Sequence, residues 1–178
     1  PFSSSVYLAT EALCSWGSQT QQQHFLPKLA AGELIGTLAT SEGLGAASTA
    51  ASVAQGRLSG SKLPVPDGDV ADFVVLTAQD DKGVIGLYIA DLHNTGIQCE
   101  PLGSMDPSRS QARITFDDVP VQALGEEKVA GEGELSQLLD RAAILLAFEQ
   151  LGGCQAAMEM GIAYTKERYA FGRAIASF

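Results

Sequence analysis

The sequence has few basic residues. Eleven lysines and arginines stand against 21 aspartates and glutamates, which gives a formal net charge of −10 over 178 residues. An acidic surface repels phosphate backbones and anionic lipid surfaces, so nucleic acid and membrane surfaces are poor candidates as partners. Long apolar runs are missing as well: the longest in the C-terminal half, 142–148, is far shorter than the roughly 20 residues that span a bilayer. We therefore expect no membrane-spanning segment.

Cysteine and histidine are also scarce. Cys14, Cys99 and Cys154 are odd in number and widely spaced, which fits neither a disulfide framework nor a Cys-x-x-Cys metal site and favours a reducing, cytoplasmic compartment. His24 and His93 lie in different segments without a further ligand at helical or hairpin spacing, so we predict no metal site. The 46% of apolar residues can nevertheless bury a sizeable core.

Helical patterns stand at both ends of the chain. Apolar residues recur at helical spacing over 5–16, and Gly17 is placed to end that helix in a left-handed conformation. Ser18 and Gln21 have the spacing of a capping box, which predicts a second helix as far as Ala31. A proline-free region with apolar residues at 3.6-residue spacing predicts a long helix over about 134–169.

The middle of the chain has the pattern of a β-domain. Short apolar and β-branched runs predict strands over 34–40, 52–58, 73–78, 84–91 and 112–116. The segment 79–83, which ends in Gly83, predicts a hairpin loop between two of them. Because no helical pattern separates the strands, we expect a small antiparallel barrel or sandwich and not a doubly wound sheet.

Two segments are candidate ligand sites. The Gly-rich stretch 43–48 follows a predicted strand, but a further strand pattern comes after it where a Rossmann fold needs a helix. The alternative interpretation is a loop whose backbone N–H groups bind a phosphate or a flavin.

The second candidate is the end of the long helix. There Arg168 and Phe171 are predicted one turn apart on one face, with Gly172 ending the helix. A cationic side chain beside an aromatic side chain is suited to a ligand that contains both a phosphate group and a flat ring system. The alternative is a solvated helix end where Arg168 and Arg173 complement the helix dipole.

Four segments together resemble the flavin-dependent acyl-CoA dehydrogenases. They are QQHFLPKLAAGELIG at 22–36, TLATSEGLG at 37–45, ARITFDDVP at 112–120 and YTKERYAFGR at 164–173. The resemblance implies an α+β multidomain chain: the end of an N-terminal helical domain over 1–32, an antiparallel β-barrel over 33–125, and the first long helix of a C-terminal helical bundle over 126–178.

The resemblance also implies site residues. FAD would be lined by Thr37, Ala39, Thr40, Gly45 and Ala46, and Arg168 and Phe171 would reach the FAD of a neighbouring subunit. Asp140 and Arg141 fall near the positions that contact CoA in the family. The chain departs from the family at KLPVPD, 62–67, where a Trp and a hydroxyl residue commonly flank the flavin, and at Ala46, which replaces a common Ser. Pro64 and Pro66 remove backbone donors there, which predicts weaker FAD retention.

The implied reaction is the α,β-dehydrogenation of an acyl-CoA thioester in fatty acid or sterol side-chain β-oxidation. A carboxylate removes the α-proton, the β-hydrogen leaves as hydride to FAD, and an electron-transfer protein accepts the electrons. The family's catalytic Glu lies beyond the position that matches Phe178, so no catalytic residue is nominated and a fragment is expected.

Three alternatives follow for the function of the chain. It is part of an active enzyme, or a base-lacking partner in a hetero-oligomer, or a flavin-free assembly scaffold. In each case we expect a homo- or hetero-oligomer, dimeric or tetrameric.

Overall fold

The computed structural model describes residues 1–44, 49–125 and 129–178. They form two compact units, Pro1–Arg141 and Ala142–Phe178. No helix in these ranges combines the length and the apolar character that a membrane span requires. The domain limits given above, 32/33 and 125/126, stay predictions.

The first unit opens with helices. A π-helical segment, Ser4–Thr10, runs into α1, Glu11–Trp16, and α2 follows at Gln19–Ala31. The capping box is confirmed: Ser18 Oγ accepts from the Gln21 N–H at 3.2 Å, and Gln21 Oε1 accepts from the Ser18 N–H at 3.0 Å. The left-handed conformation expected at Gly17 is wrong, because Gly17 is extended (φ −63°, ψ 141°) and leads directly into the cap. A Cβ there would lie 2.5 Å from the Leu13 carbonyl oxygen, so close approach requires the glycine.

The strands that follow form one eight-stranded sheet. They are β1 Gly36–Ala39, β2 Ser52–Ala54, β3 Arg57–Pro66, β4 Phe73–Gln79, β5 Ile85–Asp91, β6 Ile97–Pro101, β7 Gln111–Pro120 and β8 Gln122–Ala123. The order is β6-β7-β3-β2-β4-β5-β8, with β1 also paired to β4. Only the pairs β1–β4 and β2–β4 are parallel among the described strands, so the sheet is mostly antiparallel. This confirms the predicted class of β-region and corrects the all-antiparallel expectation at these two pairs.

Two strand predictions need correction. The run 52–58 is not one strand but the β2–β3 hairpin, since Gln55 and Gly56 both have positive φ and turn the chain. Strand β6 was missed because most of its residues are exposed and give no apolar alternation. The hairpin loop at 79–83 is confirmed, with β4 and β5 antiparallel and Gly83 at φ 76°.

Strands β1 and β4 are buried on both faces. Side chains alternate between the faces along a strand. One face packs into a core formed mainly by the sheet, which contains Ala39, Val74 and Leu76. The other packs against the N-terminal helices, in a core containing Leu38, Phe73, Val75, Ala9 and Leu13. Strand β1 is thus held rigidly, and the chain leaves it at Thr40.

The long helix is confirmed as α3, Glu132–Glu167, which belongs to the second unit from Ala142 onward. The prediction that Gly172 ends it is wrong. Instead β9, Tyr169–Ala170, and β10, Arg173–Ala174, form a tight antiparallel hairpin with Phe171 (φ 53°) and Gly172 (φ 80°) at its tip. Two successive residues at positive φ are the signature of a two-residue hairpin turn, so glycine serves the hairpin and not the helix end.

Candidate functional site

The candidate site begins where β1 ends. Thr40, Ser41 and Glu42 are half-buried, after a strand that is wholly buried. The Ser41 carbonyl oxygen accepts from the Leu63 N–H at 2.9 Å, and Glu42 and Leu63 form a parallel bridge. The chain leaving β1 is therefore fixed against β3. Among the described residues the Thr40 hydroxyl has no hydrogen-bond partner, so it is available to a ligand.

The other predicted FAD residues on this strand lie deeper. Thr37 and Ala39 are fully buried, and Thr37 Oγ1 donates to the Pro66 carbonyl oxygen at 2.5 Å. Gly45 and Ala46 lie outside the described residues. The structure thus places Thr37 and Ala39 on β1 and Thr40 directly after its end, and leaves Thr40 partly accessible. Their role in binding stays a prediction.

A buried ionic cluster lies beside the strand exit, and sequence reasoning missed it. The side chain of Lys62 is 0% exposed, and its Nζ lies 2.6 Å from Glu42 Oε1 and 3.0 Å from Thr77 Oγ1. Glu42 also accepts from the N–H groups of Ala50, at 2.7 Å, and Ala51, at 3.1 Å. A lysine on the buried face of a strand is the one sequence signal that could have indicated the cluster.

The electrostatics of this cluster favour an ionised Glu42. Burial acts to raise the pKa of its carboxyl group, but the Lys62 hydrogen bond, two backbone N–H groups and the Lys62 charge outweigh it and lower that pKa. Burial lowers the pKa of Lys62, and Glu42 opposes that effect only in part. The acid beside the Gly-rich stretch therefore carries a charge that its neighbours compensate.

Arg168 and Phe171 do not share a helix face, which corrects the prediction. Arg168 directly follows α3, its carbonyl oxygen accepting from the Ile175 N–H at 2.8 Å, whereas Phe171 stands at the hairpin tip with 96% of its surface exposed. Arg173 is engaged elsewhere, since its guanidinium lies 3.9 Å from the centre of the Phe178 ring. The Arg168 guanidinium makes no hydrogen bond or ion pair to any residue that the structure describes.

The two predicted CoA-contacting residues differ in their surroundings. Asp140 is exposed on α3. Arg141 donates to Glu11 Oε1 at 2.6 Å and to Ser15 Oγ at 2.7 Å, and its guanidinium lies 5.9 Å from the Trp16 ring centre. Arg141 therefore ties α3 to α1 in the first unit. Its contact with CoA stays a prediction.

Comparison with known proteins places these features in a family. No model of a known protein family matches the sequence. Among curated proteins, acyl-CoA dehydrogenase IpdE2 of Mycobacterium tuberculosis is 32% identical over 130 residues, covering 71% of this chain and 35% of the relative. The short-chain-specific acyl-CoA dehydrogenase of Clostridium acetobutylicum is 31% identical over 179 aligned residues, covering 91% and 47%. The chain thus spans about half, or less, of the length of these relatives.

Solved structures agree on the fold. Butyryl-CoA dehydrogenase from Megasphaera elsdenii matches 99% of this chain and 50% of its own, with a TM-score of 0.86 and 26% identity. A glutaryl-CoA dehydrogenase from Mycobacterium smegmatis in complex with FADH2 matches 99% and 48%, with a TM-score of 0.86 and 24% identity. The ChsE4–ChsE5 complex from Mycobacterium tuberculosis matches 100% and 48%, with a TM-score of 0.82 and 25% identity.

The architecture is therefore that of acyl-CoA dehydrogenases: N-terminal helices, a mostly antiparallel β-region and a long C-terminal helix. With the curated relatives added, the chain belongs to the acyl-CoA dehydrogenase family.

The described residues are compatible with a flavin at the end of β1. A flavin ring presents hydrogen-bonding atoms along one edge, and the accessible Thr40 hydroxyl and the half-buried Ser41 offer partners for it. Gly43 has φ 102°, a backbone conformation that favours glycine, while a Cβ on it would make only ordinary contact with Leu63 Cδ2, at 3.4 Å. Glu42 would repel a diphosphate if it stood alone, but Lys62 compensates its charge.

Proposed function

We propose that this chain supplies the FAD-binding part of an acyl-CoA dehydrogenase, an oxidoreductase that removes the α and β hydrogens of an acyl-CoA thioester. The observation that carries the proposal is the match of 99% of the chain to butyryl-CoA dehydrogenase at a TM-score of 0.86 and 26% identity. Because the chain spans half of that protein, the activity is proposed for the assembly to which the chain contributes.

The residues of this chain would hold and shield the cofactor. Thr40 would donate or accept a hydrogen bond at the flavin edge, while the buried Thr37 and Ala39 support the strand from below. Arg168 and Phe171 would contact the FAD of a neighbouring subunit, through charge-assisted hydrogen bonds and ring packing respectively. When bound, FAD supplies the hydride acceptor.

The proton-abstracting carboxylate is proposed to come from outside residues 1–178. Glu42 is the acid that stands beside the candidate flavin site, and its pKa is lowered by hydrogen bonds that its proton-accepting oxygens already make. A general base works best when its pKa approaches the working pH, so a strongly ionised, fully bonded carboxylate is poorly suited.

Hetero-oligomeric assembly is the second candidate, favoured by the match to a chain of the ChsE4–ChsE5 complex. In that case a partner subunit would carry the base. We further propose that the protein acts in the cytoplasm, where its three free cysteines would stay reduced, and that an electron-transfer protein reoxidises it.

Titration of the purified protein with FAD, followed by flavin fluorescence, tests the cofactor assignment. We expect saturable binding that Thr40→Val weakens and that Thr95→Val, a matched change in an exposed turn, leaves unchanged. Absence of saturable binding would favour the flavin-free scaffold.

Anaerobic addition of acyl-CoA thioesters to the FAD-loaded protein tests the location of the base. We expect no rapid bleaching of the flavin by this chain alone, and bleaching once the base-bearing segment or partner is present. Rapid bleaching by the chain alone would contradict the proposal and make Glu42 the first residue to replace.

A further inference from the structure

The fold buries a lysine, Lys62, completely. Lys62 lies on β3 with no exposed side-chain surface, between the buried Leu58 and Val65 of the sheet core. Burying a charge is costly unless it is paired, and an apolar residue of similar volume is often as stabilising or more so. The core alone therefore gives no reason for a lysine at this position.

The reason is the role of its partner, Glu42, which accepts hydrogen bonds from two backbone N–H groups. Glu42 stands at the entry of the segment 43–49, and Ala50 and Ala51 stand at its exit. The Glu42 carboxylate accepts from both alanine N–H groups, at 2.7 and 3.1 Å, and thereby joins the exit of β1 to the residues that precede β2. Lys62 Nζ lies 2.6 Å from Oε1 of the same carboxylate, the oxygen that also accepts from the Ala51 N–H.

Further contacts fix the pair of Glu42 and Lys62 to the sheet. Lys62 Nζ is 3.0 Å from Thr77 Oγ1, which itself lies 3.4 Å from the Thr40 carbonyl oxygen. The Ala51 carbonyl oxygen accepts from the Gln79 N–H at 2.9 Å. One ammonium group thus connects the exit of β1, the start of β2 and the centre of β4.

We propose that Lys62 is a positioning residue for flavin binding, which acts by holding the Glu42 carboxylate against the Ala50 and Ala51 N–H groups beside the exit of β1 and by compensating its charge. The inference rests on the proposed function, since it places this hydrogen-bonded cluster beside the candidate flavin site. A strand exit that is already held in place before binding lowers the ordering cost of binding, which is the general effect of pre-organisation. The lowered pKa of Glu42 is consistent with a carboxylate held in its ionised form.

The test uses three variants and one control. Lys62→Met removes the ammonium group and keeps much of the volume, Glu42→Gln removes the negative charge in nearly the same shape, and the double variant removes both charges. Arg57→Met is the matched control, because Arg57 lies on the same strand in an exposed pair with Asp118, at 2.7 Å and with 48% and 67% side-chain exposure.

We expect Lys62→Met to weaken FAD binding by on the order of tenfold, because an uncompensated Glu42 is left beside the site. The double variant should bind FAD no more weakly than Lys62→Met alone, because the two residues act as one unit. Arg57→Met should bind FAD within about twofold of the parent protein, as exposed pairs contribute little.

Amide hydrogen exchange at Ala50 and Ala51 supplies a readout that needs no flavin. Both amides should lose protection in Lys62→Met and in Glu42→Gln and keep it in Arg57→Met. Unchanged protection in both cluster variants would overturn the inference. A lowered melting temperature of Lys62→Met with unchanged FAD affinity would also overturn it, because the role of Lys62 would then be purely structural. If the parent protein binds no FAD while protection is lost in the variants, the proposed function fails, and the anchoring of the Ala50 and Ala51 amides by Glu42 and Lys62 stands.

Discussion

At position 42 a carboxylate is kept ionised by an ammonium group and two backbone N–H groups, and this makes stability depend on pH. In an unfolded chain a Glu side chain has a pKa of about 4.3, whereas the folded protein holds the Glu42 pKa below its ordinary value. Glu42 thus stabilises the native state above the unfolded pKa, and this contribution is lost as pH falls through the folded pKa.

We therefore expect the free energy of unfolding of Glu42→Gln to fall less steeply than that of the parent protein as the pH is lowered below about 5. Urea unfolding at a series of pH values measures it, with Glu100→Gln, an exposed acid 63% accessible, as the control. Parallel pH curves for the parent protein and Glu42→Gln would contradict the assignment.

The sequence could not reveal this pairing. Glu42 and Lys62 are 20 positions apart, and they meet only because the chain leaving β1 runs parallel to β3 at Leu63. Local pattern describes alternation along a strand, whereas this contact depends on which strands become neighbours. The buried Thr37 and Ala39 were in contrast recognisable from the apolar strand pattern and from the family resemblance.

At the scale of elements, the start of α2 was predictable because a capping box is a local interaction. The tertiary role of Gln21 was not: its Nε2 donates to the Ala123 carbonyl oxygen at 2.7 Å, and its Oε1 accepts from the Gly125 N–H at 3.2 Å. Gln21 therefore caps the helix and also joins it to β8.

We accordingly expect Ser18→Ala to lower the free energy of unfolding by about 1 kcal/mol, the usual cost of a lost cap. Gln21→Ala should cost more, by about 1 kcal/mol for each further hydrogen bond lost. Urea denaturation measures both, and Gln23→Ala on the exposed face of α2 is the control. Equal losses for Ser18→Ala and Gln21→Ala would show that the link to β8 contributes nothing.

The hairpin after α3 was not predictable from local spacing. Helical spacing of a cation and a ring looks the same whether the helix continues or stops. The chain turns at Phe171 and Gly172, and a hydrogen bond from the Ile175 N–H to the Arg168 carbonyl oxygen closes the open end of the hairpin. Tyr169 begins β9 immediately after the helix, in keeping with the strand preference of aromatic residues.

If FAD binds as proposed, Arg168→Ala should weaken its retention more than Arg173→Ala. The Arg173 guanidinium lies on the Phe178 ring, while that of Arg168 is free to meet a phosphate, a contact that contributes roughly 1.5–3 kcal/mol. Flavin retained after gel filtration of the two variants measures the difference. Equal retention would mean that Arg168 has no special place in the site.

At the scale of the whole molecule, the second unit exposes an apolar stripe on α3. Large apolar residues recur there at coiled-coil spacing and are 46–70% exposed: Ile144, Phe148, Leu151, Met158 and Ile162. Apolar residues at this spacing are typical of a helix face that packs against another helix, although Gln155 interrupts the stripe.

We expect the protein to self-associate through this stripe. The net charge of −10 opposes contact between copies, so association should strengthen as salt screens the repulsion. Sedimentation velocity over a range of protein and salt concentrations measures it. Phe148→Ser should weaken association, whereas Val84→Ser, which changes an apolar residue 59% exposed outside α3, should not. A monomer at all concentrations would contradict this prediction, and equal effects of the two substitutions would place the contact elsewhere.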